Sequence, residues 1–393
     1  MTGPAFSSYI ANTRTPVYPG SKEGSYPLSG DGTPDYAAQD IGADAILVAD
    51  YLNTIQAFIR RDNFQILETA LKSLIPHCQG IVDVARINLF LIKHGAFYHP
   101  VKVRVETVDS RTINLAVIGA VSQPGLDLIH QEYQLLARLR DEDPEGYLPN
   151  VYGAGSMETA KGRMAFFLGQ WLDNFLEFHL TRSKDGLKTG LWEEDGSTII
   201  LSDPEASEVF RQTARILTHF YRIDTMEQIF PWHHAAGDFI VRRADNGIEV
   251  RLSTVRGYDA MLEIPEEAMP RMQRVQTGLL HFFLNLTIRM RLDRLDGTKD
   301  PVWLEDHLFT PAMDGFLEAL SWKTSLDHLP GASELFSSIF LTLEPEELNT
   351  ILMSIADSYA PQALETQLIL DRMNEHCKYV HSYMNSRLKN TPV

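Results

Sequence analysis

The stretch WHHAAGDFIVRRADNGIEVRLSTVRGYD, from Trp232 to Asp259, holds the residues best suited to chemistry. His233 and His234 are adjacent, and Asp238 follows after Ala235, Ala236 and Gly237. Imidazole titrates near neutrality, so His233 is a candidate general base, with Asp238 as a second catalytic or a metal-binding group. The spacing HHxxxD also suits a transition metal, although adjacent side chains rarely face the same way and further ligands would be needed, His94 and His99 lying far off in sequence. The plainer reading is a histidine that braces or caps the loop. Arg256 and Arg243 would hold an anion such as phosphate if they line a cleft, or pair with acids on the surface of the hairpin if they do not.

These residues need elements to position them. The loop runs into the strand FIVRR, a turn at Asp245-Asn246-Gly247, and a second strand, and a helix from Pro204 to about Ile223 precedes it. Upstream, apolar residues at helical spacing between Ala43 and Ile75 predict two helices, broken near Asp62-Asn63 and ended by Pro76. Three strands follow, Ala85 to Gly95, Val101 to Val108 and Arg111 to Val121, as an antiparallel meander. A helix over Leu126–Arg140 leads to two more strands, NVYGAGS and RMAFFLGQWL, ending near Trp171. NFLEFHLTRS reads as a short helix, and the Gly/Asp-rich stretch to Ser202 as an irregular excursion. Beyond Ile264 the pattern is almost wholly helical to the end, with turn signals at Asp296-Gly297 and Pro330-Gly331; Val275–Leu292 is apolar enough for a core helix or for a protein partner's interface.

Length and composition bound the reading. A chain of 393 residues exceeds one typical core, and 44% hydrophobic with 22% charged residues is ordinary for a globular protein. A net charge of -17 argues against nucleic acid or anionic membrane as a general partner. Two cysteines, Cys78 and Cys377, make no disulfide framework and no metal-ligand spacing. With no secretory signal and no apolar run long enough for a span, the expected protein is soluble and cytoplasmic. Residues 1–40, rich in Gly, Pro, Ser and Tyr, are expected to be a flexible arm, with a strap packed on the body as the alternative.

Three strands, one helix, two strands, a connector, a helix, a polar loop and a hairpin make an order that resembles the protein-kinase-like fold, most nearly the small-molecule phosphotransferases of the aminoglycoside and choline kinase type. The resemblance covers about Ala85 to Asp259. It implies an α+β, two-lobe architecture: a 1–40 arm, a helical extension over 41–80, a small lobe over 81–172 built on an antiparallel five-stranded sheet with one helix, and a mainly helical lobe over 173–393. It implies ATP and Mg²⁺ as cofactors, with catalysis by positioning and charge neutralisation. Glu132, in the middle of its helix, takes the place of the family's helix glutamate, unless it is one solvated charge. Gln170 and Leu172 fall on the connector that would meet an adenine ring, and Gly95 in HGAFYHP takes the place of the glycine-rich loop.

Several positions depart from the family's pattern. The strand TINLAVIGAV carries no lysine, leaving Lys102, Arg104 or Lys93 as substitutes on neighbouring segments. The turn has one glycine, beside bulky Phe97 and Tyr98. In one register Asp238 is the catalytic base; in the preferred one it is the metal ligand and His233 replaces the catalytic aspartate. Thr254 stands where a second metal-binding aspartate belongs, and a neutral hydroxyl is a poor ligand for Mg²⁺. The expectation is therefore a kinase-like protein that binds a nucleotide, with non-standard or lost phosphotransferase activity. The alternatives are an active ATP-dependent small-molecule phosphotransferase using His233 and Asp238, and a metal-dependent hydrolase using His233, His234 and Asp238.

Overall fold

The structure, a computed structural model, describes residues 3–11, 13, 15–28, 45–92, 97–184, 186–193, 196–234, 237–245, 247–297, 300–323, 328–360 and 363–390. The fold is mixed α+β, and the chain divides into two compact units, Met1–Asn174 and Phe175–Val393.

The first unit contains β1 (Ala5–Ile10), α1 (Val48–Leu74), β2 (Val84–Leu91), β3 (Val101–Thr107), β4 (Thr112–Ala120), α2 (Gln123–Asp141), β5 (Val151–Thr159) and β6 (Gly162–Gln170). Their sheet has the order β1-β2-β3-β4-β6-β5. Period-two alternation buries Val101, Val103 and Val105 on one face, where they share a core with Tyr51, Leu52, Ile55 and Phe58 of α1 and with Phe166 of β6. Lys102, Arg104 and Glu106 alternate to the other face and are half-buried. α1 breaks where the sequence predicts, with left-handed backbone at Asp62, Asn63 and Phe64. Ser122 caps α2 by accepting the Gly125 N–H, and Pro124 occupies its first turn.

Two expectations need correction here. The 1–40 segment is not a flexible arm throughout: β1 pairs in parallel with β2 from Ala5↔Arg86 to Ile10↔Leu91, making the sheet six-stranded rather than five-stranded. Tyr9 stacks on Phe90 with ring centroids 5.2 Å apart, and the Arg60 guanidinium lies 4.3 Å from the Phe6 ring. These contacts cover β2, which would otherwise be an open edge. The second correction is that 41–80 is no separate extension, because α1 packs its buried residues from Val48 to Leu71 into the core beneath the sheet of the first unit.

The second unit opens with β7 (Leu176–Ser183), β8 (Gly186–Trp192) and β9 (Thr198–Ile200), followed by α3 (Asp203–Phe220), β10 (Glu227–Ile229), β11 (Phe239–Ala244), β12 (Gly247–Leu252) and β13 (Tyr258–Ala260). It closes with α4 (Arg271–Arg291), β14 (Leu292–Arg294), β15 (Pro301–Trp303), α5 (Asp306–Ser321), α6 (Ala332–Phe340), α7 (Pro345–Asp357) and α8 (Leu364–Asn390). The predicted helix NFLEFHLTRS is instead β7, and the supposed irregular excursion contributes β8 and β9 to a sheet of order β12-β11-β7-β8-β9. A short apolar run is ambiguous in period, and the hairpin partner decides it: Phe178 pairs Leu191 and Leu180 pairs Thr189. Ser202 and Glu205 form a capping box at the start of α3. α3 and α5 pack so closely that a Cβ on Gly315 would overlap the Arg211 carbonyl. Among the described residues no helix is long and apolar enough to cross a membrane.

Candidate functional site

The candidate loop sits in the second unit between β10 and β11. The register from Phe239↔Leu252 to Ala244↔Gly247 makes β11 and β12 an antiparallel hairpin; Asn246 lies outside the described residues, as do Ala235 and Ala236. Gly237 has φ +69, a left-handed conformation that glycine adopts at no steric cost, and the Glu177 carboxylate lies where a Cβ would point. Ser253, just past β12, ties the loop down: its N–H donates to the Asp238 carbonyl at 2.7 Å and its hydroxyl to the Gly237 carbonyl at 2.9 Å.

Asp238 is 1% exposed. Arg256 donates to both of its carboxylate oxygens, at 2.6 and 2.5 Å, and the His233 backbone N–H donates to Oδ2 at 2.8 Å. Burial pushes the carboxyl pKa up, while the Arg256 guanidinium and these hydrogen bonds favour its charged form. Asp238 therefore has an organising role: it anchors the loop through one backbone amide and one arginine.

The two histidines diverge. His234 is buried in an aromatic nest, with ring centroids 5.3 to 5.6 Å from Trp232, Phe178 and Phe210. His233 is half-buried and faces Arg289 of α4, whose Nη2 lies 3.0 Å from each ring nitrogen. Burial and the nearby Arg289, Arg256 and Arg294 cations drive the His233 pKa down to about 3. A base that weak takes little proton from an acceptor near neutral pH, so this geometry does not suit the expected general base.

The structure thus brings His233, Asp238 and Arg256 together. Thr254 is half-buried beside them in sequence. Arg243 goes elsewhere, pairing with Glu205 at the start of α3 at 2.9 Å. The Mg²⁺ ion that the resemblance implies does not fit here. Both Asp238 oxygens are engaged, the second position is a neutral threonine, and the described residues contain no group of three side chains of the histidine, cysteine or carboxylate kind able to hold a metal. The same observation removes the support for an HHxxxD metal site.

The remaining candidates lie in the first unit. Glu132 is not a solvated charge; at 2% exposure it is buried on the inner side of α2. Lys102 Nζ lies 4.8 Å from the centre of the Trp171 ring, on the sheet face opposite the core with α1. The Gln170 side chain accepts from the Asn150 side chain at 3.0 Å, and Arg140 donates to Asn150 at 3.0 Å, fixing the end of β6. Leu172 is half-buried in an irregular segment just after β6, and the turn at Asp173-Asn174 leads into a strand. Lys93, His94 and Gly95 lie outside the described residues. His99 is buried, its carbonyl accepting the Tyr51 hydroxyl at 2.5 Å.

Sequence reading missed Arg289. Its signal was present: an arginine inside the apolar run LNLTIRM has to find a partner or a ligand. Glu177 and Ser253, which shape the loop, carried no such signal. The chain matches no protein-family model and no curated protein.

Proposed function

We propose that this chain is a kinase-like protein that binds a nucleotide and has lost metal-dependent phosphoryl transfer. The observation that carries this reading is the Asp238–Arg256 pair. In the preferred register Asp238 stands for the family's metal-binding carboxylate, yet an internal guanidinium takes both of its oxygens. A monovalent internal cation fills the place of the divalent one and cannot bridge phosphates as the metal does.

Three further features agree. The strand lysine is absent from β4, Thr254 is neutral, and His233 is held as a neutral imidazole. Nucleotide binding is supported by what does not depend on those residues: the fixed end of β6 at Gln170, the backbone that follows it, and Lys102 over Trp171. Loss of catalysis with retention of a binding fold fits a regulatory or scaffolding role, with a protein as the natural partner.

The test is phosphoryl transfer from γ-labelled ATP, with Mg²⁺ or Mn²⁺, to water and to a panel of small hydroxyl and amine acceptors. The expected result is no turnover above background. Turnover abolished by Asp238→Ala would instead support the active phosphotransferase.

A further inference from the structure

We propose that Arg289, with Arg256 and His233, forms a binding site for a small oxyanion of the phosphate or carboxylate class beside the loop that precedes β11. The site stands independently of nucleotide binding and of the kinase-like reading.

The starting point is a buried charge without a counter-ion. Arg289 is 8% exposed in α4, among the buried apolar residues Phe283, Leu286 and Ile288. Its Nη2 meets the Trp232 carbonyl at 3.3 Å and the two ring nitrogens of His233, and its guanidinium lies 5.8 and 5.7 Å from the centres of the Phe230 and Tyr359 rings. Its Nε is buried with no hydrogen-bond partner among the described residues. No carboxylate of the described residues pairs with it. Arg291, two residues on and 2% exposed, also has an unpartnered Nε but differs in having a counter-ion: it donates to Asp306 at 2.6 Å and to the Leu304 carbonyl at 2.7 Å.

Two of the nearby acids are engaged by other arginines, and a third, Glu177, lies 3.6 Å from His179. Asp238 is held by Arg256, and Glu365 by Arg294 at 3.0 Å. His233 adds no negative charge, and its pKa is depressed first by burial and then by the Arg289, Arg256 and Arg294 cations. Arg289 thus keeps a positive charge with no directly paired carboxylate among the described residues in a site largely withdrawn from water, an arrangement that is costly unless an anion completes it. The donors are of the right kind. Guanidiniums bind planar or tetrahedral oxyanions through charge-assisted hydrogen bonds, and a neutral imidazole offers one N–H. Arg256, whose side chain is 19% exposed, gives the cluster its solvent-facing side.

The experiment is calorimetric titration of the full chain with inorganic phosphate and, separately, with acetate, in chloride buffer at constant ionic strength. Saturable binding of at least one is expected. Tighter phosphate binding assigns the phosphate class, and tighter acetate binding the carboxylate class. Arg289→Gln should weaken binding at least tenfold, whereas Arg243→Gln, on the hairpin surface, should leave it unchanged. Melting curves give a second reading: without added oxyanion Arg289→Gln should melt no lower than the unaltered chain, and phosphate or acetate should raise only the latter. No saturable binding, undiminished binding to Arg289→Gln, or a variant that melts far below the unaltered chain in chloride buffer would each overturn the proposal.

Discussion

Arg256 grips both carboxylate oxygens of Asp238, and the same carboxylate holds the His233 backbone amide. Two residues, one at each end of the hairpin region, are locked by one buried acid. The pair fixes the loop, and it occupies the group that chemistry would need.

Breaking this pair should be expensive. Arg256→Ala leaves Asp238 buried and unpaired, and the expected loss is about 3 kcal/mol of unfolding free energy. The double variant Asp238→Asn with Arg256→Gln should lose less than the sum of the single changes, because no lone charge remains. Urea denaturation checks both. A loss within about 0.5 kcal/mol for Arg256→Ala, as for an ordinary surface change, would show that the pair does not organise the loop.

Stability should fall in mild acid. The folded-state pKa values of His233 and His234 are lowered to about 3, so their contribution is present above the unfolded histidine value of about 6.5 and is lost as pH falls toward the folded value. Asp293 opposes them: burial raises its carboxyl to about 6, so its contribution is full below the unfolded value of about 3.9 and is lost as pH rises through 6. Asp238, also raised by burial, opposes in the same way, while His281 and His376, lowered by burial, side with His233 and His234, so four histidines against two aspartates leave the histidines dominant near pH 5. Denaturation at several pH values should therefore show stability rising between pH 4.5 and 6, and His233→Gln should flatten that rise by about one proton. A slope unchanged in this variant would mean that His233 titrates normally when folded.

Glu132 separates a buried role from a solvated one. Glu132→Ala should cost about 2 to 3 kcal/mol, since the side chain is 2% exposed and its removal disrupts a buried polar group. A change within about 0.5 kcal/mol is what a solvated helix charge would give. The measurement is a denaturation midpoint with an unchanged slope.

The α3–α5 contact is a third check on packing. Gly315→Ala should lose about 1 to 3 kcal/mol, because the added methyl meets rigid backbone at Arg211. Gly237→Ala should lose about 1 kcal/mol: its cost is the left-handed backbone, whereas the Glu177 carboxylate can move aside. If Gly315→Ala proves the milder of the two, the close packing of α3 and α5 is wrong.

Much of the fold was legible because its signals are local. Alternating valines marked β3, the break at Asp62-Asn63 showed in the helical period, and Asp245-Asn246-Gly247 marked the turn of the hairpin. What escaped depends on partners distant in sequence. β1 is a strand because β2 offers it an edge and Phe90 a stacking surface, and composition alone read it as an arm. β7 looked helical until β8 was there to pair with it. At the site, the residue types of His233, Asp238 and Arg256 were visible, but their roles were set by who faces whom. Arg256 answers Asp238 across the hairpin region, and Arg289 reaches His233 from a helix whose apolar pattern concealed it.

The central claim is best tested by nucleotide binding with and without metal. Melting of the purified chain should be followed in ATP with MgCl₂ and in ATP with EDTA, each against its nucleotide-free control. The account predicts an upward shift of equal size in both, since Arg256 already occupies Asp238. A shift that requires Mg²⁺ would contradict the loss of the metal site, and the absence of any shift would contradict nucleotide binding.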